Sequence, residues 1–383
     1  MQMKQSHTKF LKNKIKPVPL EIGKKISIAE FIDSTYFAYN SARLKEACKL
    51  GEKAFSQENV TVGITLAGAM TPASIGISTI IPLIEAGYID FIVSTGANLY
   101  HDLHYALNYS LYAAQPTQDD LELRREGIIR IYDILFSADV LFDSDAFVRT
   151  LLKSPAFNKT MSTAEFHYLM GKAVNEVEEK LGTQKTSVLA ACYRMGVPIW
   201  TSSPGDSTFG MNLAAMQLKN ETKCVIDPSL DVNESSAVVW DSVSKGGETA
   251  VIIVGGGSPK NFYLQTEPYL QEILGLPSRG HDYFIQFTDS RPDTGGLSGA
   301  TPSEALSWGK IDPEHLIRTV VVYADSTIVF PLWAAYVLEK GKIKKSKRRY
   351  DHLKAYVEKM TEDSKNHNPP VAEHDLAKNI KLQ

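Results

Sequence analysis

Ser307-Trp308-Gly309-Lys310 follows Glu304 and a Gly/Ser/Thr-rich run from Thr294 to Pro302. One lysine thus stands behind a tryptophan, beside a carboxylate, after a loop whose backbone can approach a ligand closely. A lysine so placed can lose its proton and act as an amine nucleophile, forming a Schiff base with a carbonyl or imine carbon. The competing reading is an ordinary surface lysine at a helix end, and the local sequence leaves both open.

The elements that must position this segment alternate. Val60–Leu66 and Ile89–Ser94 read as apolar strands, with a helix over 71–86 between them and another over 98–113 after them. Helices follow over 163–181 and 186–195, then strands at 197–201, 250–254, 283–287 and 319–323. Ser27 or Ser34 is a candidate cap for the first helices. Short apolar strands without alternation, separated by helices, predict an α/β fold with a mostly parallel, doubly wound sheet covered on both faces.

Ligands of such sheets bind outside the carboxyl ends of the strands. Three loops there have unusual composition: Ser94-Thr95-Gly96-Ala97-Asn98, Gly255-Gly256-Gly257-Ser258 and Thr294 to Ser298. Three glycines between a strand and a helix leave N–H groups uncovered at a positive helix end, suited to a pyrophosphate. Glycines that merely turn the chain are the alternative. The run is neither G-x-G-x-x-G nor a Walker loop, and Lys260 does not complete one. Asp325, just past a strand, is suited to a ribose or to capping the next helix, the commoner role. His101 and His104 read as a surface pair rather than metal ligands, and no G-x-S-x-G elbow is present.

Length and composition set the bounds. The 383 residues suffice for one large domain, here 26–341, with a basic extension at 1–25 and a basic C-terminal helix and frayed tail at 342–383. A packed amphipathic helix with a solvated basic shoulder accounts for the run from Lys342 to Arg349. The net charge of −3 gives no footprint for nucleic acid. Cys48, Cys192 and Cys224 are too scattered for a disulfide framework or a cysteine zinc site. No apolar stretch predicts a membrane span, the lysine-rich start does not read as a secretory signal, and a cytoplasmic location is expected.

Together these pieces resemble the deoxyhypusine synthase family over about residues 25–340. The matching runs are Val93-Ser94-Thr95-Gly96 with Asp102-Leu103, Gly255-Gly256-Gly257 with Lys260, Ser298-Gly299, Glu304-Ala305-Leu306-Ser307-Trp308-Gly309-Lys310-Ile311, Tyr323-Ala324-Asp325-Ser326 and Phe330-Pro331-Leu332. The resemblance implies a Rossmann-like NAD-binding fold and a homotetramer with sites shared between subunits. It implies oxidation of spermidine with NAD, transfer of the aminobutyl group to the catalytic lysine with loss of diaminopropane, and passage to an acceptor amine. That acceptor is a lysine of translation initiation factor 5A in the namesake enzyme and putrescine in related homospermidine synthases.

By the same resemblance Lys310, Trp308 and Glu304 are the expected catalytic residues. Thr71, Ser74, Thr95, Gly96, Asp206, Gly255, Gly256, Gly257, Gly295, Ser298, Ala324 and Asp325 are the expected cofactor contacts. Asn261, Gln286, Trp308 and Glu304 are the expected substrate contacts, and no metal is expected. Shielding by Trp308 would lower the pKa of Lys310, and the polyamine wants a carboxylate and an aromatic wall.

Departures from the family pattern cluster at the substrate wall. Asn261 stands where the family has histidine, Tyr100-His101 replaces an acidic pair, and Met211, Thr294 and Leu297 stand where further acids are found. Asp293 could compensate by a one-residue shift. The reading is therefore an aminoalkyl transferase with a small amine ahead of a protein lysine as acceptor. An NAD- or polyamine-binding pseudoenzyme and a sirtuin-like deacylase are the alternatives, the latter opposed by the lack of paired C-x-x-C ligands. Whether the lysine-rich arm at 1–16 plugs a neighbouring site, as an N-terminal helix does in the namesake family, stays open in the sequence, because Phe10, Leu11 and Ile15 give it only a thin apolar face.

Overall fold

A computed structural model describes residues 14–183, 185–369 and 377. Most of the lysine-rich arm at 1–16 lies outside these residues. Six strands form the central sheet: β1 Val60–Leu66, β2 Phe91–Ser94, β3 Ile199–Trp200, β4 Glu248–Val254, β5 Tyr283–Thr288 and β6 Thr319–Tyr323. Their order is β6-β5-β4-β1-β2-β3, and every pairing is parallel. The chain therefore winds outward one way from β1 and then the other way from β4. That reversal opens a crevice at the carboxyl ends of β1 and β4.

Both faces of the sheet are buried, which is why the strands read as unbroken apolar runs. Successive side chains still divide between the faces. Val62, Ile64, Ile252 and Phe287 enter one core, which holds Trp333 and Tyr336 of the helix Ser326–Lys340. Phe91, Val93, Val251, Ile253 and Phe284 enter the other, with Tyr263 and the helix Pro228–Val243. Gly63 is the close approach in β1: a Cβ there would meet Phe91 at 2.4 Å and Tyr263 at 2.5 Å.

Several local expectations are corrected. The region 71–86 is no continuous helix: a short 3-10 turn, Thr71–Ala73, is followed by left-handed Ser74 and a π turn, Gly76–Ile80. Pro82 has no N–H to offer the preceding turn, and the Ile81 N–H reaches back five residues to the Gly76 carbonyl. The next helix spans Gly96–Ala106 and stops short of left-handed Asn108. Beyond it lies an unforeseen antiparallel sheet of Tyr112–Ala113, Ile128–Ile131 and Ile134–Ser137.

The basic C-terminal run is a solvated shoulder only in part, at exposed Lys342 and Lys345. Arg349 is only 8% exposed and donates to Asp241 at 3.0 Å and to the Thr61 hydroxyl at 2.7 Å. Lys347 donates to Asp90 at 3.1 Å. These ties seat the helix Leu353–Lys365 on Pro228–Val243, where Trp240 donates to Asp363 at 2.7 Å. A buried arginine needs paired acceptors, and the fold supplies them.

Candidate active site

Lys310 is held by its backbone from two sides. Thr301 caps the short helix Pro302–Ser307, and Gly309, at φ +67°, turns the chain so that the Lys310 N–H returns to the Ala305 carbonyl at 3.0 Å. A residue with φ in this region is least strained as glycine. Gln271 donates to the Gly309 carbonyl at 2.9 Å, and the His281 N–H donates to the Lys310 carbonyl at 3.0 Å. Behind them Glu267, fully buried, accepts from Ser278, Gln271 and the Gly280 N–H. Burial raises its pKa to about 7.

The side chain of Lys310 enters a cavity of about 270 Å³ whose walls include Lys260, Asn261, Glu304 and Trp308. Its Nζ donates to Asn261 Oδ1 at 3.1 Å and lies 5.5 Å from the centre of the Trp308 ring. Burial lowers its pKa, and the Glu304 carboxylate works against that shift. Trp308 is itself 60% exposed, so it covers one side only. Removal from water by the whole cavity, rather than by the indole alone, disfavours the charged amine.

The triple-glycine loop lies one helical turn away. Gly255 (φ +82°) donates its N–H to the Phe287 carbonyl at 2.8 Å. Gly256 presses its backbone on Ser298, where a Cβ would lie 2.6 Å from Cα, and the space beside Gly257 is open. The helix Gly257–Leu264 then begins, and Asn261, four residues on, shares the face of Gly257 about 6 Å along the axis. The partner of the lysine amine and the candidate phosphate cradle are thus on one short helix.

Lys260 belongs to the motif match but received no role from the sequence. It is 2% exposed, and its ammonium donates to Gln286 Oε1 at 3.0 Å and to the carbonyls of Ser298 and Ala300 at 3.3 and 2.7 Å. Burial lowers its pKa to about 8, with Glu304 raising and Lys310 lowering it. The signal was its place three residues after Gly257, facing inward from the helix's first turn. Gln286, expected at the substrate, is instead scaffold. It is 1% exposed, accepts from Lys260 and donates to the carbonyls of Gly255 and Ser298.

The other expected contacts divide. Thr95 and Gly96 sit at the end of β2, where Thr95 donates to the Gly68 carbonyl at 2.6 Å and Gly96 packs on Ser207. Buried Asn98 joins that loop to the one after β1, accepting from the Met70 N–H at 2.6 Å and donating to the Ala67 carbonyl. Thr71 is buried and spends its hydroxyl on the Asn98 carbonyl at 2.6 Å, whereas Ser74 is exposed. Ser298 accepts from the Gly257 N–H at 2.9 Å, which gives its hydroxyl a structural role. Gly295 and Asp206 lie on exposed loops. Half-buried Ala324 bonds to the Thr288 carbonyl, and Asp325 caps Ser326–Lys340 through the Thr327 N–H at 2.8 Å.

Two corrections concern charge. Asp293 does not replace a lost acid, because it is exposed and ion-paired with Arg291. His101 and His104 are no surface pair: His104 is fully buried, its Nε2 2.9 Å from His101 Nδ1 and its Nδ1 3.0 Å from the Ser144 hydroxyl. Burial drives the His104 pKa down to about 3.

The deoxyhypusine synthase family profile matches residues 30–337, and the chain belongs to that family. A "Deoxyhypusine synthase-like protein" of Nostoc punctiforme is 56% identical over 356 residues, covering 93% of this chain and 90% of the relative. The "Probable deoxyhypusine synthase 2" of Methanosarcina acetivorans is 37% identical over 325 residues, covering 84% and 90%. A solved Entamoeba histolytica structure that carries the deoxyhypusine synthase designation provisionally superposes with a TM-score of 0.56 at 16% identity. It covers 86% of this chain and 99% of that one, a likeness of fold. Family membership supports a transferase that moves an aminobutyl group. Among the described residues no helix is long and apolar enough to cross a membrane.

Proposed function

We propose that this protein transfers an aminobutyl group from a polyamine, through an imine on Lys310, to an acceptor amine, with NAD as the hydride carrier. The observation that carries the reading is the placement of the Lys310 amine. It is half-buried, lowered in pKa, and hydrogen-bonded to a residue one turn from the glycine cradle. Imine chemistry needs such a neutral amine.

The strand order and its reversal between β1 and β4 favour a dinucleotide in the crevice there. The residues fit one. Glycine is required at Gly256 by the contact with Ser298, open space adjoins Gly257, and a helix begins at that point. Gly256, Gly257 and Thr95 would hold the cofactor, which supplies reversible hydride removal at the carbon next to the secondary amine.

Glu304 offers the donor a carboxylate and Trp308 an aromatic wall. Lys310 adds to the oxidised carbon and the diamine fragment leaves, its nitrogen taking the proton that Lys310 gives up. The acceptor amine then takes over the C=N bond as Lys310 leaves with the proton the acceptor gives up, and the cofactor, when bound, would supply the hydride that saturates the new bond. Poverty in carboxylates favours a small amine as acceptor over a protein lysine. Subunits sharing sites in a homotetramer would cover the exposed face of Trp308.

Incubation with NAD and spermidine, with and without putrescine, tests the reading. Diaminopropane release and homospermidine formation by mass spectrometry are expected. Nicotinamide release without diaminopropane would point to a deacylase, and tight NAD binding without turnover of any amine to a pseudoenzyme.

A further inference from the structure

Three backbone groups around the Lys310 α-carbon are tied down. The Gly309 carbonyl accepts from Gln271 at 2.9 Å, the Lys310 N–H donates to the Ala305 carbonyl at 3.0 Å, and the Lys310 carbonyl accepts from the His281 N–H at 3.0 Å. The last contact belongs to a single parallel bridge, in which the Asp312 N–H returns to the His281 carbonyl at 3.1 Å. Peptide units are planar, so holding them on both sides of Lys310 sets the direction in which its side chain leaves for the cavity.

Two of these ties lead to one side chain. Gln271 Nε2 donates to the Gly309 carbonyl and to Glu267 Oε2, each at 2.9 Å, which commits both amide hydrogens. The same Glu267 oxygen accepts from the Gly280 N–H at 3.0 Å, one residue before the N–H that holds the Lys310 carbonyl. Ser278 supplies a third donor at 2.6 Å. Glu267 is fully buried, and its other oxygen has no partner among the described residues. The local backbone suits the task. The helical stretch Thr266–Pro268 opens into a π turn, Tyr269–Ile273, which carries Gln271. Such irregular turns recur at functional sites. Gly309 closes on Gln271, where a Cβ would stand 2.8 Å from Oε1. Glu267 and Gln271 do not line the Lys310 cavity, so any effect on the reaction passes through the backbone they hold.

Resting on the proposed transfer reaction, we infer that Glu267 is a positioning residue for the reacting amine. Through Gln271 and the Gly280–His281 segment it sets the line along which Lys310 Nζ meets the oxidised carbon of the donor. Attack on a trigonal carbon depends on distance and angle, and a misplacement of about 1 Å costs on the order of 10²-fold. What the two segments need from position 267 is an acceptor oxygen rather than a charge. Glutamine keeps that oxygen and puts its NH₂ where the carboxylate oxygen bonds to nothing.

Single-turnover formation of the Lys310 adduct with NAD and spermidine, trapped with borohydride and read by mass spectrometry, tests the role. NAD affinity by calorimetry and Tm are measured beside it. Gln271→Leu breaks the Gly309 tie and leaves Glu267 two donors. It should slow adduct formation at saturating spermidine about tenfold, with the half-saturating spermidine concentration and the NAD affinity within about twofold of wild type. Glu267→Ala, which loosens both ties, should slow it about a hundredfold, and Glu267→Gln should recover the rate to within about fivefold. Ser278→Ala removes a donor from the same oxygen but neither tie; it should lower Tm and leave the rate within about twofold. If Glu267→Ala does not fold, the contrast between Gln271→Leu and Ser278→Ala carries the test. Absence of the adduct in wild type would defeat the function reading itself. With a normal wild-type adduct, three results would overturn the positioning role: an unslowed Gln271→Leu, equal slowing by Ser278→Ala, or a Glu267→Gln as slow as Glu267→Ala.

Discussion

Replacing Lys260 with methionine removes a buried ammonium while keeping the length of the side chain. Three acceptors face that ammonium, but Ser298 keeps its bond from Gln286 Nε2 at 2.8 Å. Gln286 Oε1 and the Ala300 carbonyl lose their donor, at about 1–3 kcal/mol each, or roughly 2–6 kcal/mol together. Against this, the fall in the Lys260 pKa from 10.5 to about 8 marks a cost of roughly 3 kcal/mol for holding the charge in the protein. Methionine carries no such cost. The net effect at neutral pH should therefore lie between a gain of about 1 and a loss of about 3 kcal/mol.

Dependence on pH gives a sharper test. The folded pKa lies below the unfolded one, so the unfolded chain binds more protons between about pH 8 and 10.5. Stability contributed by this site must rise with pH across that window, by about 2 kcal/mol between pH 7 and 9.5. Urea unfolding of both proteins at the two pH values should show wild type gaining about 2 kcal/mol more than Lys260→Met. Amide exchange at residues 294–301 should quicken in the variant and stay unchanged in β1. Parallel pH dependence in the two proteins, with no change in loop exchange, would refute the clamp.

Two other perturbations follow from the same site. Gly256→Ala would place a methyl 2.6 Å from Ser298 Cα; it should cost about 1–3 kcal/mol in thermal or urea unfolding and weaken NAD binding at least tenfold by calorimetry. Glu304→Gln removes the charge that opposes the lowered pKa of Lys310. The acid limb of the rate at saturating donor should move to lower pH while the KM for spermidine rises, because an anion favours the ammonium in both enzyme and substrate.

How far the sequence carried depended on whether local pattern or distant packing decides a feature. Val60–Leu66 and Thr319–Tyr323 were readable with their ends, because continuous apolar runs bounded by polar residues leave little choice in a sheet buried on both faces. The region 71–86 was not, since Pro82 and a left-handed Ser74 break a pattern that periodicity alone reads as helix. Residue type and order marked Lys310, Trp308 and Glu304 as candidates, the family resemblance gave them their roles, and the structure brings them to one cavity.

Lys260 was left without a role and Arg349 was misread for one physical reason. A charged side chain is taken as exposed unless its partners are visible, and theirs come from remote segments. Lys260 meets residues 26–40 positions away, and Arg349 meets Asp241 and Thr61. His104 went wrong the same way, its partner Ser144 lying forty residues on.

The central claim is that the Lys310 amine becomes bonded to the migrating group. Borohydride added during turnover of NAD and spermidine, followed by peptide mass spectrometry, tests it directly. The account predicts an aminobutyl mass on Lys310 in wild type and none at that position in Lys310→Ala. Wild type that turns over spermidine without any label at Lys310, or with the label on Lys260, would contradict it.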